Sequence, residues 1–336
     1  MRTEGRTLAL PPTMAQESQF TRRRFLGATL GAAALAPLPQ AVLAQGAPRP
    51  AGRAERLAAE LYSQLTAPQR EAVCFPYDSP LRARVDNFWF VTPQRLAAFY
   101  SPDQQRLAHD IFMALHSEEY GPTVMKQVLH DGVRNDFAAS TTIAFFGTPE
   151  SGRFQMVLTA HHCTRRVGGD AGVAFGGPIF YGHFHERFHE RADHPGNVYW
   201  YQARRANAVY QMLDGRQRGL ALIDGDRRDR GTATVRLAGR AAGLPGIPMS
   251  EMSRDQHDEV RRVLADLTLP FRREDAADAL RMIDAGFNDM HLAFYASRDI
   301  GGDGVWDVWQ LEGPDMVWFF NGEPHVHVWA HVRQKV

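Results

Sequence analysis

Three imidazoles stand at alternate positions in Pro324 to Val332, PHVHVWAHV. On a strand, successive side chains point to opposite faces, so His325, His327, Trp329 and His331 share one face and Val326, Val328, Ala330 and Val332 the other. The valine face can be buried. The histidine face brings neutral imidazoles close enough to grip one metal ion, and imidazole is the commonest metal ligand in proteins. Two further histidines fall at the ends of strand-like runs: His162 after Phe154 to His161, and His183 after Val173 to Tyr181. His162, His183, His325 and His327 therefore form the candidate metal set, as four ligands or as three with an open position for water. Imidazole-only ligation suits zinc, copper, iron or nickel and disfavours magnesium and calcium. Taken singly, each histidine reads more simply as a hydrogen-bonded structural residue; it is their grouping at strand ends that points to a metal.

A second pattern competes. His185-Glu186-Arg187-Phe188-His189 fits the letters H-E-x-x-H, which on a helix would place two ligands one turn apart with Glu186 as general base. The segment is short, closed by Asp193-His194-Pro195-Gly196 after about two turns. A third ligand at the metzincin spacing is missing, since Pro195 occupies that register and His194 falls one position early. A polar, histidine-rich loop is the simpler reading, and a peptidase the least favoured of the metal readings. There is no G-x-S-x-G elbow for a serine hydrolase. No Walker loop or dinucleotide fingerprint occurs either, so no nucleotide cofactor is expected.

The elements that must position these residues are legible in outline. Arg53 to Leu65 carries apolar residues at helical spacing, Thr66 and Pro68 start a short helix through Val73, and Ser101-Pro102-Asp103-Gln104 is a capping box leading to about Leu115. Further helices are expected from Ser117 to Asp131, Asn197 to Met212, Gln217 to Ile223, Ser253 to Leu267 and Glu274 to Ala285. Thr141 to Phe146, Phe154 to His162 and Val173 to Tyr181 read as strands, as do His291 to Ser297, Val305 to Leu311, Met316 to Phe320 and His325 to Val332. Asn321-Gly322 is a favoured hairpin pair. Asp224 to Gly231 reads as a solvated charged loop, and no internal repeat is evident. Helices, strands, helices and a closing meander give an α+β fold, a single domain with a mainly antiparallel sheet and flanking helices, over 53–336.

Of 336 residues, 44% are hydrophobic, and 38 basic side chains balance 38 acidic ones. Neither a nucleic-acid partner nor an acidic membrane surface is implied. Thr21-Arg22-Arg23-Arg24-Phe25-Leu26 matches the twin-arginine export pattern, followed by a mildly apolar run and the small-residue signal Val42-Leu43-Ala44. Residues 1–44 are thus expected to be a signal peptide read by the twin-arginine export machinery, with 45–52 as linker and the mature protein periplasmic or extracellular. The run is too short and too broken by proline for a membrane span. Cys74 and Cys163 could form one disulfide in an oxidising compartment, though a buried apolar role fits Cys163 more simply.

The chain resembles the bacterial proteins of domain-of-unknown-function family 3500. The likeness is carried by LYSQLTAPQREAVCFPYDSP, HHCTRR, AFGGPIFYGH, DHPGNVYW, LDGRQRGLAL, DGVWDVW and GPDMVWFFNGEPHVHVW, from about Leu57 to Trp329. The resemblance implies export and supplies no activity or substrate. Its HH and HVH patterns fall on His161, His162, His325 and His327, and its GH on His183; the H-E-x-x-H letters belong to no pattern of the family. The expectation is an exported metal-binding protein with zinc, copper or iron and an unidentified small-molecule substrate, an enzyme of hydrolytic or redox type. The alternative is a non-catalytic periplasmic protein that binds a metal or ligand.

Overall fold

Four helix starts are fixed by capping boxes. Thr66, Ser101, Asp214 and Ser253 each accept from the backbone N–H three residues on, while Gln69, Gln104, Gln217 and Gln256 reach back to the cap. The computed structural model describes residues 52–183, 197–296 and 304–335, so the expected export leader and the H-E-x-x-H letters lie outside the described residues. Its helices are α1 (Arg53–Ser63), α2 (Ala67–Val73), α3 (Leu96–Phe99), α4 (Pro102–Ala114), α5 (Gly121–Asp131), α6 (Phe137–Ser140), α7 (Trp200–Met212), α8 (Gly215–Ala221), α9 (Arg254–Thr268) and α10 (Arg273–Ala285).

The strands are β1 (Cys74–Phe75), β2 (Thr142–Thr148), β3 (Arg153–Ala160), β4 (Cys163–Gly168), β5 (Ile179–Gly182), β6 (Leu222–Ile223), β7 (Ile247–Pro248), β8 (His291–Tyr295), β9 (Val308–Gly313), β10 (Met316–Asn321) and β11 (His327–Val332). They form one mainly antiparallel sheet in the order β1-β2-β3-β4-β5-β11-β10-β9-β8-β6, with β7 also on β8. This is the single-domain α+β architecture. Alternate residues of each strand, such as Leu158, Tyr181, Trp318 and Val328, pack with the helices in one large core. The other face is buried as well. Phe180, Val317, Phe319 and Trp329 pack there under Val85 and Val235, which come from long connections crossing the sheet. The histidine-bearing face of β11 is therefore an interior face and not a solvent one.

Several strand boundaries differ from those the sequence implies. Ala160 pairs with Cys163, so His161 and His162 are the two-residue turn of the β3–β4 hairpin and not the end of a strand. Cys163 consequently lies on the helix side with Leu158, opposite to what an uninterrupted strand would give. β5 begins only at Ile179, after a short 3₁₀ turn at Ala174–Gly176. Cys74 and Cys163 are both free, and burial pushes the Cys74 thiol up to about 11.

The strand order reads the same from either edge. At the centre β5 and β11 run antiparallel with Phe180 opposite Trp329. Outward on each side come β4 and β10, β3 and β9, β2 and β8, then the two-residue strands β1 and β6, each parallel to its neighbour and each following a capping-box helix.

His116 is a satisfied core histidine, as its place between helices suggests. Its Nδ1 donates to Phe112 O (2.7 Å) and its Nε2 accepts from Arg165 Nε (3.0 Å). Burial, then the Arg165 charge, hold its pKa down to about 3. Below the ordinary value of 6.5 the unfolded chain takes up a proton that the folded one refuses, so stability falls with pH. Between pH 6.5 and about 5 this amounts to about 2 kcal/mol. His116→Gln, which keeps an acceptor for Arg165, should lose that part of the acid sensitivity when urea midpoints are compared at the two pH values.

Candidate metal centre

At one end of the central strand pair, three of the expected histidines converge. His162, His325 and His327 each offer a nitrogen, and the three lie within 4.8 Å of one another. His162 reaches the site from the β3–β4 turn, where its φ is +50°. Its N–H donates to Asn87 O (3.0 Å) and its ring stacks on His161 at 4.0 Å. His327 is the first residue of β11. His325 comes from the five-residue connection after Asn321, which pairs with His327, so the Asn-Gly pair opens a loop and not a two-residue turn. Its ring lies 5.1 Å from that of His162 and 4.5 Å from that of His327. Gly182 makes room for that loop: a Cβ there would stand 2.1 Å from Val326 O.

Behind two of the histidines stand carboxylates. His162 Nδ1 donates to Asp131 Oδ2 (2.8 Å), where Gln127 also donates (2.6 Å). His161 Nδ1 donates to the Asp131 carbonyl (3.2 Å). His327 Nδ1 bonds Asp229 Oδ2, whose other oxygen accepts from Trp329 Nε1 (2.9 Å) and Asn321 Nδ2 (3.3 Å). Asp131 ends α5 in the helix layer and Asp229 belongs to the connection on the opposite face, so each layer supplies one carboxylate.

These partners set the electrostatics. An ionised carboxylate only accepts, so the Asp131 and Asp229 contacts call for a proton on Nδ1 of His162 and of His327, and the two Nε2 atoms face each other. The two Nε2 atoms are 3.0 Å apart. Facing lone pairs repel unless a proton or a metal cation lies between them. Two Nε2 ligands of one tetrahedral zinc, each at about 2.0–2.1 Å, sit roughly 3.3 Å apart. Burial first, then the neighbouring imidazoles led by His327, hold His162 well below its ordinary pKa, which opposes a proton on His162.

His183 is close but differently engaged. It follows β5, its N–H donates to Val326 O (3.0 Å), and Nε2 pairs with Asn197 Oδ1 (3.2 Å). Burial lowers its pKa to about 3, partly offset by that bond, with His325 and His327 lowering it further. It stands beside the converging three without being among them. Cys163 faces the helix core, so it supplies no thiolate here.

Sequence reasoning missed both carboxylates. Asp131 reads only as the end of a helix before Gly132, and Asp229 as one charge in Asp224 to Gly231, a stretch taken as solvated. That stretch is instead tied to the sheet, with Arg227 Nε donating to Gln310 Oε1 (2.8 Å) besides the Asp229 contacts. Nothing in either local pattern marks a histidine partner.

The family model described as "Protein of unknown function (DUF3500)" matches residues 48–335 of this chain. No curated protein and no solved structure matches it.

Proposed function

This chain belongs to the DUF3500 family, and we propose that it works as an exported metal-dependent enzyme whose transition metal is held by His162, His325 and His327. The observation that carries this reading is the pair of inward Nε2 atoms, each backed by an aspartate on Nδ1. Carboxylate–histidine pairs of this kind orient imidazole ligands and raise their basicity. Three imidazoles leave an ion's charge uncompensated, and such a set lowers the pKa of zinc-bound water to about 7. Both aspartates are committed to the Nδ1 atoms, which argues against a two-histidine-one-carboxylate iron site. Zinc or copper fits the donors better, and water activation for hydrolysis is the reaction class we favour. The Arg22-Arg23 pattern supports export to the periplasm with the cofactor already inserted, and an unidentified small molecule as substrate.

His183 supports a second reading. If it turned inward as a fourth ligand, the site would close and the protein would bind metal without catalysis.

Elemental analysis of the exported, folded protein tests the proposal. About one transition metal per chain is expected, removed by chelator with a fall in melting temperature. Metal-free folded protein whose stability ignores chelator would sink it. Zinc-reloaded protein that hydrolyses activated esters above the His327→Ala background supports the enzyme; tight zinc without turnover supports the binding protein.

A further inference from the structure

The palindromic sheet has counterparts throughout the chain. Tyr62, Leu65, Gln69 and Arg70 recur as Tyr210, Leu213, Gln217 and Arg218 at matching places in α1–α2 and α7–α8. Arg70 lies over the Tyr62 ring and Arg218 over that of Tyr210. Gln69 and Gln104 exchange amide hydrogen bonds, both of 2.9 Å, and Gln217 and Gln256 do the same at 3.0 and 2.8 Å. The second amide of each pair also closes the preceding helix, Gln104 on Gln64 O and Gln256 on Met212 O, both 2.9 Å. The first amide reaches Phe99 O in one half and Glu251 O in the other.

Elements at the seam meet their own counterparts. Phe180 faces Trp329, with rings 4.5 Å apart. The α4–α5 connection meets the α9–α10 connection through a His116–Phe271 bridge. Val85 and Val235, from the two crossing connections, share one cluster. Glutamine clasps with the same extra acceptors are not imposed by an α+β fold, and chance would have to produce them twice in the same order.

We infer that the chain is a fused dimer: two copies of one helix–sheet unit, 52–183 and 197–335, joined along β5 and β11, with the histidine centre built across their seam. The first copy brings His162 and Asp131. The second brings His325, His327 and Asp229. At the other end of the seam the corresponding place, before β5 and under the first crossing connection, already holds a cation of the protein's own. There the Arg166 guanidinium, buried, donates to Pro178 O (2.5 Å), Arg84 O (2.8 Å), Gln155 Oε1 (3.2 Å) and Arg82 O. The fused dimer thus keeps one metal centre per chain, not two; this last point rests on the metal reading proposed above, whereas the duplication does not.

The test is a circular permutant that starts at Asn197 and ends at Gly196. In it, residue 335 is joined to 52 by a linker that makes the connection as long as the native one between Gly182 and Trp200. If the halves are equivalent, that length closes the new junction. The permutant should then unfold cooperatively within a few degrees of the native chain and carry the same metal per chain. A permutant can fail through its folding route alone, so a second variant exchanges Leu65–Val73 with Leu213–Ala221 in the intact chain. Cooperative unfolding near the native temperature in either supports the duplication, and its loss in both overturns it. Cooperative unfolding with no metal in permutant and native protein alike leaves the duplication standing and refutes the metal centre.

Discussion

Alanine at both His325 and His327 is expected to take bound metal from about one per chain to background, with the fold intact. Two of the three converging nitrogens are lost, and among the described residues of this set only His162 is left facing the site. Held at 100 times its Kd, a single ion adds about 2.7 kcal/mol to stability. The variant should therefore melt lower than the native protein in metal-containing buffer. In chelator the two should approach each other, because the native protein then loses what the variant never had. Elemental analysis and paired thermal melts read both effects. A double variant that keeps its metal would remove these two residues from the site.

Asp131→Asn carries the next largest expectation. Its carboxylate is fully buried, and a neutral amide in its place no longer enforces Nδ1–H on His162. Removing a carboxylate behind a ligating histidine costs 10- to 100-fold in metal affinity as a rough rule. Competition against a chromophoric chelator should show that loss while circular dichroism stays native. Asp229→Asn should act likewise through His327. If stability falls in both variants and affinity does not, the aspartates hold the structure together without tuning a ligand.

How much of this could be read beforehand depended on whether the signal was local. Capping boxes at Ser101 and Ser253 are complete within four residues, and the helices they start follow closely. Alternation in β11 placed His327 and Trp329 on one face, and the two share Asp229 through that i, i+2 relation. His162 reads in the sequence as the end of a strand; it arrives at the site because a hairpin turn, not a strand, carries it there. Asp131 and Asp229 stayed invisible because their role is set by contacts from remote parts of the chain. The repeat we infer is hard to read for the opposite reason: its signature is spread over both halves, a few residues at a time, and needs the sheet order to bring it together.

The turn that carries His162 has one more implication. A residue at φ +50° sits where glycine or asparagine rests more comfortably and where most side chains cost about 1 kcal/mol. A chain shaped for durability alone would drift to glycine at this corner. On the proposed reading the imidazole there gives the site a ligand at the expense of backbone ease, so glycine at this corner would relax the turn and empty one position of the site.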